Sequence, residues 1–364
     1  MIKKKVLVID DSAFMRRVIS DIINGDERCE VVGVATNGRE GLEFVEKLSP
    51  DVITLDVQMP VMTGIEMLKE IQKTKQIPVI MLSTLMKEGG KETIEALELG
   101  AYDFVKKPDN IFKINSDEIK KELIEKIILA AESSKKVQPV YKPHIARTVS
   151  EIGKGLDLTK SMVPKQTGNN TVKNLVALGT STGGPRALQY VLPYLPGNIN
   201  AGIVVVQHMP PGFTKSLSDR LNQLSEITVK EAEDQDVIQN GFAYIAPGDK
   251  HLEVKEDASG KLVIRLSDEP PRGGHKPSVN VMMHSIALIK SKKLIGVIMT
   301  GMGADGTEGM MAIKAKQSFH IIAQNEATCV VYGMPKTAVE KGITDEVVPL
   351  EKISESIIKQ SGVL

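Results

Sequence analysis

The sequence predicts an α/β protein of two domains joined by a linker. Short β-branched runs alternate with segments whose apolar residues recur every three or four positions, a pattern typical of parallel sheets covered by helices. The alternation spans residues 1–130, stops in a stretch at 131–171 rich in Lys, Pro, Gly, Asn and Thr, and resumes over 172–364. A chain of 364 residues also exceeds a typical single domain of roughly 100–200 residues. We therefore predict a doubly wound first domain, an interdomain linker and a second α/β domain.

The first domain shows five strand candidates. They are VLVID (6–10), VVGVA (31–35), VITLD (52–56), PVIML (78–82) and a weaker YDFVKK (102–107). Helical periodicity separates them, in RRVISDII, GLEFVEKL, GIEMLKEIQ and KETIEALEL. In a doubly wound sheet the carboxyl ends of the strands meet at one edge, where ligands bind.

The second domain combines buried strands with a different kind of insertion. Its strand candidates are LVALG, AGIVVVQ, KLIGVIMTG, FHIIAQ and EVVPL. Between 227 and 266, short alternating runs separated by NG, PGD and ASG predict antiparallel hairpins. In the linker, ARTVSEIG predicts a marginal helix.

Composition excludes several classes of protein. Lys plus Arg and Asp plus Glu number 46 each, so no excess of positive charge favours nucleic acid or an anionic membrane as partner. The lysines before VLVI resemble a signal peptide, but that apolar run is too short, and no run reaches the roughly 18 apolar residues of a membrane helix. The two cysteines match no metal-ligand spacing. We expect a cytoplasmic monomer that neither binds nucleic acid nor inserts into a membrane.

Polar residues follow four strands of the first domain at their carboxyl ends. Asp10 and Asp11 follow the first strand, Asp56 ends the third, and Ser83 and Lys107 end the fourth and fifth. Clustered carboxylates repel one another unless a cation joins them, and Mg²⁺ prefers such oxygen ligands. Asp56 could then attack a phosphoryl donor, while Ser83 and Lys107 bind the phosphate. Each aspartate alone could instead be a helix cap.

The motifs VLVIDDS, ITLDVQMPVMTG, MLST and FVKKP resemble those of two-component response-regulator receiver domains, over residues 3 to about 125. The resemblance implies a flavodoxin-like fold, phosphorylation at Asp56, and Mg²⁺ bound by Asp10, Asp11, Asp56 and the backbone carbonyl of Gln58. It also implies that Phe104 is the aromatic switch residue, acting with Ser83 and Lys107.

A serine lies on a glycine-rich turn after the first strand of the second domain. Gly179–Gly183, GTSTG, fits G-x-S-x-G, which places Ser181 between a strand and a helix. A serine hydroxyl becomes a good nucleophile only when a histidine removes its proton and a carboxylate orients that histidine. His208 follows AGIVVVQ and Asp305 follows GVIMTGMGA, so both come after strands.

Other interpretations of these residues compete. The glycines could form a phosphate cradle, although no lysine follows them as in GxxxxGK[ST]. His275 is the serious rival to His208, and Asp249 and Asp268 are rival acids. The remaining histidines lie in the linker, in the hairpin region or within regular elements: His144, His251, His284 and His320.

The motifs GTSTGGP, VVQHMPPGFT, YIAPGDKH and TGMGADG resemble the catalytic domain of chemotaxis protein-glutamate methylesterases. The resemblance implies that Ser181 is the nucleophile, His208 the general base and acid, and Asp305 the orienting carboxylate. It implies that the Met302 backbone N–H stabilises the oxyanion. Asn280 departs from the family, which usually has aspartate there, so a supporting interaction is in doubt.

The same resemblance implies hydrolysis of glutamate γ-methyl esters on bacterial chemoreceptors, with release of methanol and with glutamine deamidation as a second activity. It implies a chemotaxis histidine kinase as phosphodonor, Mg²⁺ in the receiver and no cofactor for the esterase. We expect the unphosphorylated receiver to cover the esterase site through the surface near Phe104. Alternatively, the receiver contributes to receptor binding. A response regulator whose second domain only binds partners or DNA is the rival function.

Overall fold

The computed structural model describes residues 2–74, 77–84, 87–107, 117–133, 172–290 and 292–362. Most of the predicted linker, including ARTVSEIG and His144, lies outside these residues. Within them, no helix is both long enough and apolar enough to cross a bilayer.

The first domain is a five-stranded parallel sheet between helices. Its strands are β1 Lys4–Ile9, β2 Cys29–Ala35, β3 Val52–Asp56, β4 Val79–Ser83 and β5 Asp103–Lys106, so all five predicted strands are confirmed. Its helices are α1 Ala13–Asn24, α2 Gly38–Leu48, α3 Gly64–Thr74, α4 Lys87–Glu98 and α5 Asp117–Ser133. The strand order β2-β1-β3-β4-β5 is that of the flavodoxin-like fold, as predicted. Strands β3 and β4 are buried throughout because helices cover both faces of the sheet.

The second domain is a seven-stranded sheet with a separate hairpin. Its strands are β6 Asn174–Thr180, β7 Gly202–Gln207, β8 Thr228–Glu231, β9 Phe242–Ile245, β10 His251–Glu256, β11 Leu262–Ser267, β12 Lys293–Ile298, β13 Phe319–Gln324 and β14 Glu346–Val348. Its helices are α6 Gly184–Leu188, α7 Phe213–Leu224, α8 Val279–Ile286, α9 Thr307–Lys314, α10 Met334–Glu340 and α11 Ile353–Ser361. The order β14-β13-β12-β6-β7-β9-β8 is parallel throughout.

The antiparallel insertion is smaller than predicted. Of the described strands in this segment, β10 and β11 pair antiparallel, around the Ala258–Gly260 turn, whereas β8 and β9 pair parallel and extend the main sheet. A single antiparallel bridge also joins Val237 to Val263 of β11. The predicted Asn240–Gly241 hairpin is therefore wrong. Gly241 has a φ of +76° and leads the chain into β9, but the residues before it form a crossover that bonds to β11 through Ile238. A turn dipeptide makes a hairpin only where pairing strands flank it on both sides.

The two domains pack through α4 and α7. The rings of Phe104 and Phe213 lie 4.7 Å apart between centroids, as expected for a surface near Phe104 that contacts the second domain. Arg220 donates to both carboxylate oxygens of Glu98, at 2.7 and 3.1 Å. A methyl group on Gly90 would lie 2.6 Å from the Ser216 hydroxyl, so the two helices approach closely. Because α7 follows the His208 loop, the receiver contacts an element attached to the candidate catalytic site.

Candidate active site and receiver site

Three carboxylates meet at the carboxyl edge of the receiver sheet. Asp10, Asp11 and Asp56 each place a carboxylate oxygen within 4.8 Å of the others. Asp10 is fully buried and Asp56 is nearly so, whereas Asp11 is exposed. Mg²⁺ prefers hard oxygen ligands such as these carboxylates, and the exposed Asp11 leaves the cluster open to solvent. These residues therefore fit the predicted ion.

Lys107 partly neutralises the cluster. Its Nζ lies 2.7 Å from Asp10 Oδ2 and 2.8 Å from Asp56 Oδ2. Burial nevertheless raises the pKa of Asp56 to about 6, and the neighbouring Asp10 and Asp11 add to this although Lys107 opposes it. Asp56 is thus a carboxylate whose charge the fold does not fully compensate.

Of the other predicted receiver residues, Ser83 and Gln58 lie near this edge and Phe104 lies at the contact between the domains. Ser83 is buried at the end of β4 and accepts a hydrogen bond from Thr93 at 2.7 Å. Gln58 lies two residues after Asp56, and its side chain donates to Glu92 on α4. Phe104 is buried on β5 against Phe213, so it joins the domain contact rather than the acidic cluster.

Ser181 and His208 follow paired positions on neighbouring strands. Thr180 of β6 is in register with Gln207 of β7, and the two candidate catalytic residues come next in each chain segment. The His208 N–H donates to Thr180 O at 3.2 Å, and the Ser181 N–H donates to Thr300 O at 3.0 Å. The parallel register therefore brings the candidate nucleophile and base to one edge of the sheet.

Asp305 bonds to His208 and to groups at the start of helix α8. Its Oδ2 lies 2.8 Å from His208 Nε2. The carboxylate also accepts hydrogen bonds from the hydroxyl of Ser278 at 3.0 Å and from the N–H groups of Val279 at 2.7 Å and Asn280 at 2.9 Å. Burial disfavours the charged form of Asp305, but its bond to His208 and these N–H donors outweigh burial and lower its pKa. Asp305 therefore stays ionised, and an ionised acceptor assigns the proton to Nε2.

That pairing leaves one ring nitrogen of His208 for chemistry. Nδ1 is buried and has no hydrogen-bond partner among the described residues. The imidazole can thus accept a proton at Nδ1 while Asp305 stabilises the charge at Nε2.

His275, the rival histidine, lies against His208 rather than replacing it. The two rings stack with centroids 4.0 Å apart and planes 8° apart. Burial, followed by the nearby His208, lowers the pKa of His275 to about 4. His275 is therefore neutral near pH 7 and adds no positive charge beside a protonated His208.

The rival acids lie outside this constellation, and no other described histidine is paired with Asp305. Asp249 and Asp268 are exposed and face Lys276 and Lys250 respectively. Of the other described histidines, His284 lies near Glu308 and His320 bonds to Glu346. His251 borders the site, because its Nδ1 accepts the N–H of Ser278 at 3.3 Å while its Nε2 lies 3.1 Å from Pro270 O.

The turn that carries Met302 passes close to Ser181. A methyl group on Gly301 would lie 2.8 Å from Ser181 Cβ, so the neighbouring Met302 backbone is near the nucleophile. Asn280 retains a supporting role, because its Oδ1 accepts the N–H groups of Gly306 at 3.0 Å and Gly309 at 2.9 Å. Asn280 therefore bonds to the start of α9, although the family usually has aspartate at this position.

The sequence did not identify two residues that bond to Ser181, His208 or Asp305. Gln207 bonds to the backbone of both Ser181 and His208, and Ser278 bonds to Asp305. A buried polar residue at the end of an otherwise apolar strand, as in VVVQH, is the signal that could have identified Gln207.

Comparisons with known proteins agree on both domains. The family model described as CheB methylesterase matches residues 176–357, and that of the response regulator receiver domain matches residues 6–117. A protein-glutamate methylesterase/protein-glutamine glutaminase of Pyrococcus horikoshii is 47% identical over 98% of this chain and 93% of its own. A homologue of the same name from Syntrophomonas wolfei is 45% identical over 98% and 99%.

Among solved structures, the CheB methylesterase catalytic domain of Thermotoga maritima is 48% identical. It covers 51% of this chain and 98% of its own, with a TM-score of 0.49. The family match and the nearly full-length relatives together show that this chain belongs to the CheB methylesterase family, with a response regulator receiver domain preceding the methylesterase domain.

Proposed function

We propose that this protein is a phosphorylation-activated serine esterase that hydrolyses glutamate γ-methyl esters on chemoreceptors. Its family makes it a carboxylic ester hydrolase and a chemotaxis adaptation enzyme. The observation that carries the catalytic assignment is the 2.8 Å contact between His208 Nε2 and the buried Asp305 carboxylate, beside Ser181. The names of the relatives support glutamine deamidation as the second activity.

Hydrolysis proceeds in two steps. Ser181 Oγ attacks the ester carbonyl while His208 Nδ1 takes the hydroxyl proton, and Asp305 stabilises the imidazolium. The methoxide leaves as methanol after receiving that proton, and a glutamyl ester of Ser181 remains. His208 then takes a proton from water, the hydroxide attacks the ester, and the proton returns to Ser181 as glutamate is released. The Met302 N–H donates to the oxyanion in both steps.

The receiver regulates this site. Asp56 accepts the phosphoryl group, Ser83 and Lys107 bind it, and Phe104 transmits the change to Phe213. Mg²⁺, bound by Asp10, Asp11, Asp56 and the Gln58 carbonyl, would neutralise charge at the cluster. The α4–α7 contact supports inhibition by covering, since α7 continues from the His208 loop. We expect the phosphodonor to be a chemotaxis histidine kinase, and the protein to be a cytoplasmic monomer whose esterase needs no cofactor.

Methanol release from methylated receptors tests the esterase assignment. Ser181→Ala should abolish release, whereas Ser225→Ala, at the far end of α7, should leave it unchanged. Ser225 is a suitable control because it lies away from His208 and its hydroxyl has no hydrogen-bond partner among the described residues. The same substitution there removes a hydroxyl without breaking a hydrogen bond. Normal release by Ser181→Ala would exclude the proposed nucleophile.

A further inference from the structure

Gln207 is a buried amide between the two candidate catalytic residues. It ends β7, lies immediately before His208, and is only 2% exposed. Six residues of β7 precede the loop, and every one of them is buried. A polar side chain at this depth needs a structural or functional partner, because an unpaired buried amide is destabilising.

The partners of Gln207 are the backbones of the catalytic residues themselves. Its Nε2 donates to Ser181 O and to His208 O, at 3.0 Å each. Only the NH₂ end of the amide can bond to two carbonyl oxygens, which fixes its orientation. One side chain thus ties the nucleophile turn to the base loop.

The side chain has little freedom to move. A methyl group on Gly184 would lie 1.9 Å from Gln207 Oε1 and 2.4 Å from Thr180 Oγ1. Gly184 therefore leaves the space that the amide occupies, and the amide oxygen Oε1 is buried there without a hydrogen-bond partner among the described residues.

We infer that Gln207 is a positioning residue that sets the distance and angle between Ser181 and His208. The inference rests on the proposed function and deepens it. The hydrogen bonds of the Gln207 side chain reach the backbone carbonyls of both residues, and they do not involve Ser181 Oγ or the His208 ring. Its loss should therefore change the rate of the chemical steps rather than substrate affinity, since small errors in attack geometry slow a reaction strongly.

The chain offers a matched control in Asn174. This residue is also buried, at 7% exposure, and its Nδ2 also bridges two backbone carbonyls, Asn200 O at 2.6 Å and Ser361 O at 3.1 Å. It lies at the opposite end of the sheet, where β6 begins. Replacing either amide with an apolar side chain of similar size removes two hydrogen bonds to backbone carbonyls, but only the Gln207 substitution affects the backbones of Ser181 and His208.

The test compares Gln207→Met with Asn174→Leu in the full-length protein. We would measure kcat and KM for methanol release, the rate at which an alkyl fluorophosphonate labels Ser181, and the midpoint of thermal unfolding. Both variants should unfold at lower temperature. Gln207→Met should lower kcat and the labelling rate by about ten- to a hundredfold with KM within about twofold of wild type, whereas Asn174→Leu should change neither rate by more than about twofold.

Equal effects of the two variants on both rates, or a Gln207→Met rate close to wild type, would overturn the inference. If Gln207→Met does not fold, Gln207→Asn provides the same test, because its amide is one methylene too short to reach both carbonyls. The Ser181→Ala variant separates this inference from the proposed function. If it still releases methanol, the esterase mechanism fails; if it is inactive while Gln207 variants are normal, only the positioning role fails.

Discussion

The two domains each place a buried aspartate at the carboxyl edge of a parallel sheet, yet the folds affect the two carboxylates in opposite ways. Burial raises the pKa of Asp56 to about 6, the neighbouring carboxylates add a smaller contribution, and Lys107 does not offset the two. Asp305 accepts three hydrogen bonds from the start of α8 as well as the contact with His208, and its pKa falls. Burial alone would raise both values, so the neighbours decide the difference.

This difference matches two kinds of chemistry. A carboxylate with uncompensated negative charge favours binding of a cation, and once the cation is bound it can react with a phosphoryl donor. A carboxylate fixed by N–H and O–H donors stays charged and immobile, which suits a group that orients a histidine. Changing each aspartate should therefore have different consequences, and the following substitutions test that contrast.

The largest expected loss of kcat comes from replacing the nucleophile Ser181 or the base His208, which Asp305 orients. Ser181→Ala and His208→Ala should each lower kcat by about 10⁶-fold, and the double variant should be little worse, because the residues act as one unit. Rates of methanol release for the three variants would show this. Losses that multiply in the double variant would mean that the two residues act independently.

Asp305→Asn should have the next largest effect. An asparagine would turn its NH₂ group toward at least one of the donors that now bond to Asp305, so the side chain would lose its fixed position. We expect kcat to fall by about 10³- to 10⁴-fold. Asp268→Asn, at an exposed carboxylate paired with Lys250, is the control and should retain normal kcat. Equal rates for the two variants would contradict the role of Asp305.

Asp56→Asn should stabilise the protein in the absence of divalent cations. The folded-state pKa of about 6 lies above the ordinary 3.8, so ionised Asp56 disfavours folding above pH 6. That cost, about 3 kcal/mol, should shrink as pH falls from 6 toward 4 and vanish below both values. The free energy of unfolding measured against pH should therefore show a gain for Asp56→Asn at pH 7 that disappears near pH 3.

An equal gain in the free energy of unfolding at pH 7 and pH 3 would mean that ionised Asp56 does not destabilise the folded protein. Added Mg²⁺ should stabilise the wild-type protein more than Asp56→Asn, because the substitution removes one carboxylate from the cluster.

The smallest expected effect is at the contact between the two regions. Arg220 bonds to Glu98 across the α4–α7 interface, and this partly exposed pair should contribute up to about 1 kcal/mol. Arg220→Met should therefore raise the unphosphorylated rate of methanol release by up to about fivefold if the receiver inhibits by covering.

The control for this contact is Arg17→Met, which breaks an exposed ion pair within α1 and should not change the rate. A slower Arg220→Met protein would favour the alternative in which the receiver contributes to receptor binding.

The sequence predicted the strands and most of the site because these depend on local patterns. Runs such as VLVI and GIVVV are buried whichever strands they pair with, and acidic or catalytic residues follow them directly. The pairing of β8 with β9 was missed, because direction depends on where a crossover runs rather than on the Asn240–Gly241 turn. Gln207 was also missed, because its contact with Ser181 depends on the register of β6 and β7. The stacking of His275 on His208 was missed because the loop before α8 brings together residues that are distant in sequence.

The claim that one site controls the other is tested most directly by methanol release from methylated receptors with acetyl phosphate and Mg²⁺. The wild-type protein should accelerate on addition of the phosphodonor, Asp56→Asn should remain at the basal rate, and Ser181→Ala should be inactive under both conditions. Acceleration that persists in Asp56→Asn, or a wild-type rate that does not respond, would contradict the account.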